Sequence, residues 1–149
     1  MSLNYPKPGA NHVPSFEISG LPYVTRSGGS EVGASVVKHS FPYVTRFFQI
    51  GNHGSEDIRV GFTENGVKAT ATTTANYFVV GAHTSASLAP RQEIRCKDLY
   101  FLKDGANGGG FEIIAGLTSI RADQFPILSG TQHTYGFGTV TTASWPGVG

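Results

Sequence analysis

Five histidines and a single cysteine are the side chains best equipped for metal binding or nucleophilic attack, and their spacing supports neither. His12, His39, His53, His83 and His133 lie in separate segments, and no pair has the close spacing of a helical or hairpin zinc site. Cys96 alternates with Ile94, so it reads as a buried structural thiol; a nucleophile would need an electropositive, partly exposed setting. Gly108-Gly109-Gly110 invites a phosphate-binding loop, but no Lys-Ser/Thr pair follows. A strand pattern begins at Phe111 where the phosphate-binding helix would have to start. Gly28-Gly29-Ser30-Glu31-Val32 fails the nucleophile-elbow pattern because Val32 stands where the second glycine is required. The ten carboxylates fall mostly in turns or on the solvent side of strands, which gives no signature of a paired acid and base. The chain is therefore expected to be no enzyme and to need no cofactor and no metal.

Whatever site the chain carries must be held by β-strands, because its apolar residues recur with period two far more clearly than with period 3.6. Between Asp57 and Phe62, the side chains of Ile58, Val60 and Phe62 point one way while Asp57, Arg59 and Gly61 point the other, the pattern of a half-buried strand. Asn65-Gly66 follows as a turn signal, since both residues tolerate positive φ. A second strand is expected from Arg91 to Leu102, with Ile94 and Cys96 on one face and Glu93, Arg95 and Lys97 on the other. Past Asp98 it reads Leu99-Tyr100-Phe101-Leu102, apolar on both faces, which points to a bulge or to a partner covering the outer face. Asp104 to Gly110 is a glycine-rich connection, and Phe111 to Ile120 is expected to form the hairpin partner. Val36 to Ile50 is extended but contains Pro42, which cannot donate to a ladder and so marks an edge, a bend or a division into two strands.

Phe16 to Val24 and Tyr77 to Val80 bring the count to seven or eight short strands. No segment has the pattern of a capped amphipathic helix, and Thr-rich Ala69 to Asn76 reads as loop or strand. Short strands punctuated by Gly, Pro and Asn predict an all-β sandwich or barrel. Its core should contain Phe16, Ile18, Ile58, Val60, Phe62, Ile94, Cys96, Phe111, Ile113 and Ala115.

Composition narrows the partners. A chain of 149 residues can bury a core without disulfides. One cysteine permits no intrachain bridge, which makes an intracellular assembly site the simpler reading. Charged residues make up 14% of the chain, well under the usual share of about 25%, and the net charge is +1 with no basic cluster, so direct nucleic-acid binding is not expected. Neither a signal-peptide pattern nor a membrane-length apolar run occurs, and the protein is expected to be soluble.

An internal echo suggests an interface. Pro22-Tyr23-Val24-Thr25-Arg26 recurs as Pro42-Tyr43-Val44-Thr45-Arg46. The two copies are either strands with similar environments or surfaces presenting Tyr23, Arg26, Tyr43 and Arg46 to a neighbour, since Tyr and Arg are favoured at interface hot spots. The ends differ in character from the middle: residues 1–15 and 129–149 read as arms unable to form regular structure alone, flanking a domain over 16–128. Tyr5 and Trp145 have no local core to enter, so each is a candidate anchor in another chain.

The run from His39 to Ile50, followed by Ile58 to Gly66, Asn76 to Gly81, Glu93 to Leu102 and Phe111 to Ile120, looks like a small single jelly roll. It resembles the penton, or vertex, capsid proteins of large icosahedral double-stranded DNA viruses over roughly Phe16 to Leu128. The resemblance implies an eight-stranded jelly-roll sandwich with extended terminal arms, assembled in the host cell and resident in the virion capsid. It further implies a homo-oligomer, a pentamer at each vertex, contacting major or minor capsid proteins. The chain has no room for the spike domain of larger members. Two other readings stay open: a phage-type decoration or cement protein, and a lectin-like jelly roll using Tyr100, Tyr135 and Trp145 as exposed aromatics.

Overall fold

A computed structural model describes residues 20–69, 75–83, 88–128, 133–135 and 138–140. The chain is predominantly β, with two antiparallel sheets facing each other across one apolar core. The first sheet has the order β1-β7-β3, from β1 (Leu21–Arg26), β7 (Phe111–Arg121) and β3 (Tyr43–Asn52). The second has the order β2-β6-β4-β5, from β2 (Val37–Ser40), β6 (Asp98–Lys103), β4 (Ile58–Gly61) and β5 (Tyr77–Val80). Pro42 divides the extended Val36 to Ile50 stretch, and the two halves enter different sheets.

The expected single strand from Arg91 to Leu102 is instead two pieces in two sheets. Residues 88–96 run along the outer edge of β3, where Phe48 and Gln92 exchange both backbone hydrogen bonds at 2.8 and 2.9 Å. Ala89 N–H donates to the Ile50 carbonyl and Thr45 N–H to that of Cys96. The register slips along this edge, as the pairings Gly51 with Leu88 and Phe48 with Gln92 show, so the segment is an irregular fourth member of the first sheet. The chain then crosses over, and β6 begins at Asp98. This explains both departures from expectation. Alternation fails between Ile94, which is 40% exposed, and Cys96, which is buried, because slipped pairing breaks the period-two rule. The run apolar on both faces begins where the chain becomes an interior strand of the second sheet, between β2 and β4. For the same reason β6 and β7 are not a hairpin but belong to opposite sheets.

Asn65-Gly66 also forms no turn between strands. It lies inside a short helix, α1 (Glu64–Lys68), capped by Thr63, whose hydroxyl accepts from Gly66 N–H at 3.0 Å, and anchored by fully buried Val67. Tertiary anchoring overrides the local signal here.

The core joins Phe48, Ile50, Phe111, Ile113, Ala115 and Leu117 of the first sheet to Ile58, Val60, Val80, Leu99 and Phe101 of the second, with Cys96 among them. Of the expected core residues, Ile58, Val60, Cys96, Phe111, Ile113 and Ala115 are buried and Ile94 is not. Phe62 is only half-buried, edge-on to Phe48 at 6.3 Å, because it follows the end of β4 at the rim. Phe16 and Ile18 lie outside the described residues. In the segment expected to lack regular structure, β8 (His133–Tyr135) pairs with β9 (Gly138–Val140) as a two-stranded ribbon. Among the described residues no helix is long and apolar enough to cross a membrane.

Candidate interaction site

The echoed segments take equivalent places: β1 and the start of β3 flank β7 on either side. Their registers differ, Tyr23 lying opposite Ala115 and Tyr43 opposite Arg121, so the copies are displaced along β7 and their side chains do different work. Tyr23 turns inward. Its hydroxyl is 2.9 Å from Nε2 of His39 on β2, and its ring meets Phe41 edge-on at 5.3 Å, closing one side of the sandwich. Thr45, the counterpart of Thr25, is buried. Its hydroxyl donates to the Ile94 carbonyl at 2.9 Å and accepts from Cys96 N–H at 2.9 Å, tying the 88–96 segment to β3. Arg26 is exposed opposite Glu112, while Arg46 is half-buried, 3.9 Å from Glu93. Tyr43 is half-buried against the core. The four residues are thus not gathered into one patch. Tyr5 and Trp145 lie outside the described residues.

Burial pushes the Cys96 thiol up to about 12, and Thr45 Oγ1 lies 3.4 Å from its sulfur, so it is held as an inert thiol. Among the described residues no group of three His, Cys, Asp or Glu side chains could hold a metal ion. Tyr100, one of the aromatics a lectin reading would need exposed, is buried beneath Lys38, whose Nζ sits 5.7 Å from the ring centroid. Tyr135's side chain lies outside the described residues.

His39 carries a pH dependence. Burial lowers its pKa from 6.5, and the nearby carboxylates of Glu31 and Asp98 oppose that shift without reversing it. A histidine depressed in the folded state contributes stability that is complete above its unfolded pKa and is lost as pH falls through the folded value. The wild-type urea midpoint should therefore fall between about pH 7.5 and about pH 5.5, and His39→Gln should flatten that fall. Equal slopes in both proteins would assign the acid sensitivity elsewhere. The Tyr23 hydroxyl can accept from a protonated Nε2, so the contact itself survives protonation and desolvation is the cause of the effect.

Sequence reasoning missed the main surface feature. Where β5 and the 88–96 segment form the open side of the sandwich, Phe62, Phe78, Val79, Leu88, Ala89 and Ile94 line an apolar groove of about 450 Å³. A groove of that volume with a mostly apolar lining falls within the size range of ligand and partner sites. Its signal was present in Val79, Leu88 and Ile94, but only the sheet crossover brings Leu88 and Ile94 beside β5. No protein-family model matches the chain, and neither the curated proteins nor the solved structures contain a match.

Proposed function

We propose that this protein is a non-catalytic structural subunit of an icosahedral virus capsid, closing into a ring of five at the vertices and contacting the surrounding capsid proteins. The observation that carries this reading is the strand order. With residues 88–96 counted as the irregular eighth strand, the sheets run β1-β7-β3-(88–96) and β2-β6-β4-β5. Successive strands β1, β2, β3 and β4 alternate between sheets, β5 stays beside β4, and 88–96, β6 and β7 resume the alternation, an order that supports a jelly-roll reading. The jelly roll is a fold of capsid and lectin domains, and burial of Tyr100 removes one candidate aromatic from the lectin reading. Weak net charge and a low share of charged residues, 14%, fit a protein that works by packing.

Native mass spectrometry and sedimentation of the full chain test this. A closed pentamer is expected. A trimer would transfer the protein to the decoration class, and a strict monomer at high concentration would overturn the ring.

A further inference from the structure

We infer that the Asn107-Gly108 pair is a site of spontaneous covalent modification: its amide is lost as ammonia, and the acid that replaces it pushes the 104–110 loop away from Glu56. This chemistry proceeds whatever the chain assembles with.

The sequence holds two Asn-Gly pairs, Asn65-Gly66 and Asn107-Gly108. In such a pair the nitrogen of the second residue can attack the amide carbon of the first, and glycine obstructs the attack least because it has no Cβ and a free backbone. The fold treats the two pairs differently. Asn65 lies inside α1, where Gly66 is buried and its N–H is donated to the Thr63 hydroxyl at 3.0 Å. That N–H points at the cap, so α1 must unwind before the nitrogen can reach the Asn65 side chain. Asn107 is exposed, in the loop that leaves β6 after Lys103 and returns at Gly109, whose N–H and carbonyl bond to Val32 at 2.8 and 2.9 Å. Among the described residues no acceptor takes the Gly108 N–H. Glycine is also required at 108, since an added Cβ would lie 2.8 Å from the Val32 carbonyl oxygen. The packing that fixes the loop thus retains the residue that makes Asn107 labile.

In the reaction the Gly108 nitrogen gives its proton to hydroxide and bonds to Asn107 Cγ. The Cγ–Nδ2 bond breaks, and ammonia leaves after taking a proton from water. Water then opens the cyclic imide at either carbonyl, giving aspartate or, with the main chain rerouted through Cβ and Cγ, isoaspartate. Nothing is oxidised or reduced. The consequence falls on Glu56, whose Oε1 now accepts from Asn107 Nδ2 at 3.2 Å. After the reaction two carboxylates face each other there. Isoaspartate also lengthens the main chain just ahead of the Gly109–Val32 pair, so both products loosen this end of the sandwich.

The test incubates the folded full chain under mildly alkaline conditions and follows its tryptic peptides by mass spectrometry against an unincubated sample. Cleavage after Arg59, Lys68, Lys103 and Arg121 puts the pairs on separate peptides, 60–68 and 104–121, the second with Asn107 as its only amide side chain. The 104–121 peptide should gain the acid, as two separable isomers, roughly tenfold faster than 60–68, because only Asn65 waits for local opening. In urea the two rates should converge. Equal rates in the folded chain, or an intact Asn107 under conditions where the unfolded chain reacts, would overturn the assignment. For the consequence, Asn107→Asp should lower the urea midpoint at neutral pH, and Glu56→Gln in the same chain should restore it. A midpoint unmoved by Asn107→Asp, or one that Glu56→Gln fails to restore, overturns the repulsion at Glu56.

Discussion

Phe101→Ala is expected to cost about 3 to 5 kcal/mol of folding stability, the range for truncating a fully buried aromatic. Phe101 comes from β6 in the second sheet and stacks on Phe111 of β7 in the first, with ring centroids 4.0 Å apart and planes within 5°. Both rings are buried, so truncation opens a void between the layers. That void is flanked by Val37 and Val60, the cross-strand partners of Phe101, whose positions are fixed by backbone pairing. Neither can collapse inward without breaking a ladder, so little of the cavity will close. Phe62→Ala supplies the contrast. Its ring is half-buried at the rim, and its loss should cost about 1 to 2 kcal/mol, in proportion to the smaller apolar area it hides. Urea denaturation of both variants at neutral pH decides the matter. Equal losses would mean that the rim and the centre of the sandwich are equally tightly packed, contrary to the burial pattern.

The same contrast shows what the sequence could convey. Ile58, Val60, Phe111, Ile113 and Ala115 alternate strictly, and each is buried where period two puts it. Pro42 divides two strands because a ring without an N–H cannot sit in a ladder, a local rule that needs no tertiary information. The Arg91 to Leu102 stretch failed for the opposite reason. Its switch of sheets is dictated by Thr45, Phe48 and Ile50 on a distant strand, and residues 91 to 102 carry no mark of that partnership beyond the change of pattern at Asp98. Asn65-Gly66 failed because buried Val67 and the Thr63 cap outweigh a turn preference. The groove was illegible on the same grounds. Each of its exposed hydrophobics is unremarkable alone and acquires meaning only when the crossover sets them side by side.

The corner that joins the layers should be as sensitive as the core, and Asn52→Ala is expected to cost about 4 kcal/mol. Asn52 is the one buried amide side chain among the described residues. Its Nδ2 donates to the Glu56 carbonyl at 2.8 Å and the Val80 carbonyl at 3.1 Å, while Oδ1 accepts from Gly54 N–H at 2.8 Å. One side chain thus ties the end of β3 to the loop entering β4 and to the end of β5 in the other sheet. Removing it leaves the buried Val80 carbonyl and Gly54 N–H without this partner, together with the part-buried Glu56 carbonyl, and each unsatisfied buried group costs about 1 to 3 kcal/mol. Water is poorly placed to replace it. At Gly54 even an added Cβ would lie 2.5 Å from the Gly109 Cα, so the backbones already touch at this corner. Asn52→Asp separates hydrogen bonding from mere space filling, because it preserves volume and the acceptor while losing both donors. At neutral pH it should destabilise at least as much as Ala, since a carboxylate would face two carbonyl oxygens. Near about pH 4 part of that loss should return, because a protonated carboxyl can donate to one of them. If Asn52→Asp behaves like the wild type at neutral pH, the side chain merely fills space and the hydrogen-bonded clamp is wrong.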